Sequence, residues 1–147
     1  MKQDRLRHFR ELCRERGLPF TVQRRVILEA TLGLGTHPTA DQVHEAVAVR
    51  HPDISRATVY RTLEQLARLG IIAKACHPGR GIRYDRRTDV HHHLVCLRCD
   101  DVVDIDDERL NALPLPDTTA QGFEIKGFGV ELRGLCRRCR EVGGLAR

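Results

Sequence analysis

Four of the six cysteines fall into two Cys-x2-Cys pairs, Cys96/Cys99 and Cys136/Cys139, separated by 36 residues. A two-residue spacer lets one tight turn aim two sulfurs at a single point, and two such turns complete a tetrahedral shell. Four thiolates suit zinc, and a shell with no position left for water is structural rather than catalytic. Arg98, Arg137, Arg138 and Arg140 flank the pairs and are expected to offset the negative charge of a tetrathiolate. The alternatives are two redox dithiols or plain buried thiols. The constraint is severe because the chain has only 147 residues. Split in two, each half sits near the size at which a core is marginal, so a metal or a partner subunit is expected to help.

The first half reads as helices. Leu6, Phe9, Leu12 and Cys13 recur at helical spacing up to Gly17. Thr21, Thr39 and Ser55 are placed to cap three further helices. The last of these turns Val59, Leu63 and Leu66 inward and stops at Gly70. After it, Ile71-Ile72-Ala73 and Ile82-Arg83-Tyr84 predict two short strands around the turn His77-Pro78-Gly79-Arg80-Gly81. Helices closed by a small hairpin form the winged helix-turn-helix plan. The second half predicts a small α/β unit. Its strands are expected at His93–Cys96, Val102–Ile105, Gly122–Ile125 and Phe128–Leu135, with a short helix at 107–113. The fold class is α+β, with residues 1–84 as the winged helix, 85–91 as the connection and 92–147 as the zinc-bearing unit.

Charge divides the same way. Residues 1–88 carry 17 Lys and Arg against 9 Asp and Glu, whereas residues 89–147 carry 8 against 11. A basic N-terminal half points to a polyanion, most simply double-stranded DNA. The helix beginning Arg56-Ala57-Thr58-Val59-Tyr60-Arg61 is the candidate for the major groove. Arg56, Thr58, Tyr60 and Arg61 lie on its outward face and can reach phosphates, guanine edges and thymine methyls. An ordinary amphipathic helix has the same pattern, and the hairpin that follows is what favours DNA. There is no apolar run long enough to cross a bilayer, and the N-terminus is too charged for a secretory signal. The expected location is the cytoplasm, with no membrane partner.

His91, His92 and His93 immediately precede the first cysteine pair. On a strand, His91 and His93 share one face and His92 takes the other. Two converging imidazoles, with Asp85 or Asp104 as an oxygen donor, suit Fe(II), Mn(II) or Zn(II). An exposed histidine run with no role is the bland alternative. A non-haem iron enzyme could also use two histidines and a carboxylate. It would need open positions facing a substrate pocket, and the chain has few aromatics to line one. A zinc-stabilised adaptor with no DNA role would not need the basic half.

The segments Thr58-Val59-Tyr60-Arg61-Thr62-Leu63 and His91-His92-His93-Leu94-Val95-Cys96, with the two cysteine pairs, resemble the ferric uptake regulator family. The resemblance covers nearly the whole chain. It implies a homodimeric repressor that binds an inverted repeat, with the winged helix joined through a metal-bearing hinge at 85–91 to a dimerisation domain. It also implies a regulatory ligand set of His37, Asp85, His91, His93 and Asp104. His37 would not have been singled out otherwise, since a lone loop histidine is usually only that. Aspartate at both 85 and 104, where iron-uptake members typically have glutamate, resembles the peroxide-responsive branch. So does the loss of a further site, since Val90 and Phe128 stand where iron-uptake members commonly have histidines. That branch implies Fe(II) as regulatory metal, Mn(II) as an alternative, and oxidation of His37 or His91 by hydrogen peroxide. An iron- or zinc-responsive uptake repressor is the alternative within the family. Cys76 reads as a residue of the wing.

Overall fold

The computed structural model describes residues 2–35, 37–77 and 81–143. The chain forms two compact units that divide between Thr88 and Asp89.

The first unit runs α1 (Lys2–Glu15), α2 (Val22–Gly33), α3 (Ala40–Ala48), α4 (Arg56–Arg68), β1 (Ala73–His77) and β2 (Gly81–Asp85). Local chemistry sets the helix starts. Thr21 Oγ1 accepts from the Arg24 amide at 3.3 Å, and Ser55 Oγ accepts from the Thr58 amide at 3.2 Å. Thr39 and Gln42 form a reciprocal capping box, at 3.2 and 2.8 Å. Gly70 follows α4 at φ +69°, a conformation that costs other residues strain. Phe9, Ile27, Leu28, Val43, Val59, Leu63 and Leu66 form the buried interior of this bundle. Ile71 and Ile72, expected to begin a strand, instead precede it as buried residues of the same core. β1 and β2 pair antiparallel, with Lys74 opposite Tyr84 and Cys76 opposite Ile82. Cys76 therefore lies in the wing strand. The turn residues Pro78, Gly79 and Arg80 lie outside the described residues.

The second unit contains β3 (His92–Cys96), β4 (Val102–Ile105), α5 (Glu108–Asn111), β5 (Glu131–Gly134) and α6 (Arg137–Gly143). Its sheet has the order β4-β3-β5, with β4 antiparallel and β5 parallel to β3. Its interior is small. Val95, Cys96, Val102, Cys139 and His92 are its buried residues of note. The register places Leu94 opposite both Val103 and Leu132. These three side chains make an apolar stripe across the sheet, and each is between 39% and 47% exposed. The strand expected at Gly122–Ile125 does not form. Thr119–Gln121 is a short 3-10 turn, Gly122 ends it at φ +64°, and Phe123 is exposed. Alternation marks a face but does not provide a neighbour to accept the hydrogen bonds. The expected strand at Phe128–Leu135 is realised only over Glu131–Gly134.

No helix among the described residues is long and apolar enough to cross a membrane. Leu63 is fully buried at the centre of α4. Leu63→Ala is expected to cost about 2–5 kcal/mol of unfolding free energy, measured by urea titration of the helical signal.

Candidate metal centre

The sulfur cluster is built by two local turns. β3 delivers Cys96, and the chain reverses so that the Asp100 amide bonds Cys96 O at 3.1 Å. Asp100 takes φ +60°, a left-handed turn that a short polar side chain tolerates. The second pair sits where β5 gives way to α6, and the Arg140 amide closes the turn on Cys136 O at 3.0 Å. Leu97 N–H donates to Gly134 O at 2.7 Å, which locks one turn beside the other. The four sulfurs lie within 4.8 Å of one another.

The environment prepares thiolates. Amides of Cys136, Cys99 and Arg98 point at Cys96 sulfur and hold its pKa down to about 5. The Cys136 amide lies 3.4 Å from that sulfur. The Asp101 amide lowers the pKa of the exposed Cys99. Burial pushes the Cys139 thiol up to about 12. A divalent cation removes that penalty by supplying the missing positive charge. Only part of the expected arginine compensation is realised. Arg138 hydrogen-bonds the Cys99 sulfur. Arg98 instead donates to Cys139 O at 2.9 Å, and Arg137 pairs with Glu141 at 2.8 Å. Four sulfur donors at this spacing fit a structural zinc ion.

Each unit contributes nitrogen and oxygen donors. In the first unit, His37 Nε2 lies 3.1 Å from Asp85 Oδ2, and both residues are buried. Asp85 Oδ1 also accepts from the Arg87 amide at 2.7 Å. His37 stands at φ +55°, uncommon for a residue with a side chain. Arg83 Nη1 donates to its carbonyl at 3.1 Å, and the Tyr84 amide donates to Pro38 O at 2.9 Å.

In the second unit, His91 and His93 bring their Nε2 atoms to 3.0 Å, with Asp104 Oδ1 3.6 Å from His91 Nε2. His91 Nδ1 lies 2.8 Å from Asp89 O. A carbonyl can only accept, so that nitrogen carries the proton and the Nε2 lone pair is the one left to a ligand. His92 faces the other way, as strand alternation requires. Its Nδ1 accepts from the Val130 amide at 3.1 Å and its Nε2 donates to Asn111 Oδ1 at 2.9 Å. Phe128 packs against its ring, with centroids 5.8 Å apart. His92 is thus a core strut, tied by contacts that strand pattern alone does not reveal. Cys13 is buried in the first unit, where burial raises its pKa.

The candidate DNA-facing residues divide. Tyr60 and Arg61 are exposed on α4. Arg56 is also exposed, but its guanidinium lies 2.6 Å from Asp41 of α3. Thr58 shares a 2.9 Å hydrogen bond with Ser55 Oγ and so supports the cap.

A winged helix and a separate four-sulfur α/β unit together define a metal-bearing DNA-binding regulator. The model of the ferric uptake regulator family matches residues 15–133, and the chain belongs to that family of dimeric, DNA-binding transcriptional regulators, which are not enzymes. It is 30% identical over 128 residues to the peroxide-responsive repressor PerR of Staphylococcus aureus, covering 87% of this chain and 86% of that protein. Among solved structures, it resembles the ferric uptake regulator of Helicobacter pylori with a TM-score of 0.77 at 20% identity, over 95% and 94% of the two chains. It also resembles a zinc-bound manganese uptake regulator with a TM-score of 0.68 at 30% identity, over 86% and 97%.

Exposure and thiolate character make Cys99 the most reactive of the four after chelation, and Cys139 the least. Iodoacetamide at pH 7 is expected to label Cys99 before Cys139 in chelator-treated protein and to spare both when zinc is restored, as read by peptide mass spectrometry.

Proposed function

We propose that this chain is a metal-dependent transcriptional repressor that senses hydrogen peroxide through iron-catalysed oxidation of its own histidines. The observation that carries the reading is the separation of donors by chemistry. Sulfur ligands are gathered in one cluster, and nitrogen and oxygen ligands are kept apart from it. Soft thiolates hold zinc permanently, whereas imidazole and carboxylate suit an exchangeable Fe(II) or Mn(II). Cys96, Cys99, Cys136 and Cys139 are the zinc ligands in this reading. His37, Asp85, His91, His93 and Asp104 would be the ligands of the regulatory ion.

A ligand set drawn from both units gives the ion a reason to favour one arrangement of them, because any other arrangement loses bonds. Moving such an equilibrium from mostly open to mostly closed takes about 5.5 kcal/mol of differential affinity. The closed dimer would present two α4 helices to successive major grooves of an inverted repeat. Leu94, Val103 and Leu132 supply an apolar seat for the second subunit. Residues 1–88 meet the DNA, with Arg56, Thr58, Tyr60 and Arg61 of α4 towards the groove.

Fe(II) held by these residues would supply the one-electron chemistry that breaks the O–O bond of hydrogen peroxide, with no net change in the iron. His37 or His91, as a ligand of that ion, would take one oxygen atom into its ring. The balance is one peroxide oxygen into a ring C–H and the other lost as water. An oxidised ring is a poorer ligand, so the arrangement relaxes and DNA is released. The likeness to the Staphylococcus aureus repressor and the paired aspartates support this branch. A metal-uptake repressor indifferent to peroxide is the second reading, favoured by the equal identity to the manganese uptake regulator.

Treating the Fe(II) form with hydrogen peroxide is expected to add one oxygen to a peptide containing His37 or His91 and to release DNA, whereas the Mn(II) form keeps both histidines intact. DNA binding that survives peroxide with unmodified histidines selects the uptake reading. Arg61→Ala is expected to weaken binding to a specific duplex by about 1–3 kcal/mol, measured by fluorescence anisotropy at fixed salt.

A further inference from the structure

Tyr84 is fully buried, and its hydroxyl donates to Glu64 Oε1 of α4 at 2.8 Å. Glu64 also lies 2.9 Å from Lys74 Nζ. Lys74 and Tyr84 are directly opposite in the β1/β2 register. One carboxylate on the recognition helix therefore grips both strands of the wing. Tyr84 makes a second attachment through its backbone, where its amide holds Pro38 O. Its neighbour Arg83 holds His37 O, and its other neighbour is Asp85. Three successive residues of β2 thus link α4, through Tyr84, to His37, through Arg83 and Asp85.

The apolar contacts of Val59, Leu63 and Leu66 hold α4 against the core but have no direction, so they tolerate small rotations of the helix. A hydrogen bond from a buried hydroxyl to a carboxylate is directional and costly to leave unmade. We propose that Tyr84 and Glu64 are positioning residues that make the His37/Asp85 pair and the recognition helix move as one body, so that metal binding reaches DNA. This rests on the metal-switch reading above. It goes beyond that reading by naming the residues through which the first unit transmits the signal.

The test uses full-length, zinc-replete protein and a duplex enriched from a random-sequence pool by the wild type with Mn(II). DNA affinity is measured with saturating Mn(II) and after its removal. Wild-type protein shows a large ratio between the two. Tyr84→Phe is expected to lower that ratio by about tenfold while leaving metal-free DNA binding within about threefold of wild type. Glu64→Ala, at a half-exposed position, carries the same expectation and serves if Tyr84→Phe melts early. Equal losses in both metal states, or an unchanged ratio in either folded variant, overturn the proposal, because a merely structural bond would give the first and a dispensable one the second. A wild-type ratio of one defeats the metal-switch reading itself, and this proposal with it, before any variant is compared.

Discussion

The sulfurs of Cys96, Cys99, Cys136 and Cys139 tie the turn after β3 to the start of α6, across 36 residues of intervening chain. That tie closes a unit whose apolar interior is slight. One face of its sheet carries Leu94, Val103 and Leu132 outward, so those residues add little to its own stability. A long loop is expensive to close by weak contacts, and a single ion bound by four thiolates closes it with free energy that belongs to folding. The amides aimed at Cys96 and Cys99 lower the cost of ionising those thiols before any ion arrives.

The same cluster fixes the end of β3. The strand ends in Cys96 and begins beside His91, so the position of His91 and His93 follows from the same pairing that delivers the first sulfur. Backbone carbonyls complete the arrangement. Asp89 O sets the proton of His91, as Cys139 O receives Arg98. Sulfur chemistry and imidazole chemistry are thus held a few residues apart on one strand without sharing a ligand.

Local features were legible from the sequence. The caps at Thr21, Thr39 and Ser55, the stop at Gly70 and the two cysteine turns depend on residues within a few positions of each other. The inward face of α4 follows from helical spacing. Long-range pairings were not legible. Nothing near Tyr84 announces Glu64, nothing near Arg56 announces Asp41, and Asn111 is nineteen residues from the histidine it meets. His37 needed the family resemblance, because a loop histidine has no periodicity to betray it. The missing strand at Gly122–Ile125 shows the converse error. Its alternation was real, yet no strand edge received it.

His92 has a consequence for folding fidelity. Both of its ring nitrogens are engaged within the second unit, on the face opposite His91 and His93. A one-residue slip of β3 would exchange these faces. It would offer a lone imidazole where two now converge, and it would strand the amide of Val130 and the amide group of Asn111. Three adjacent histidines therefore do not form an ambiguous tract. They act as a vernier, in which one alignment of the strand engages both nitrogens of His92 and brings His91 and His93 together.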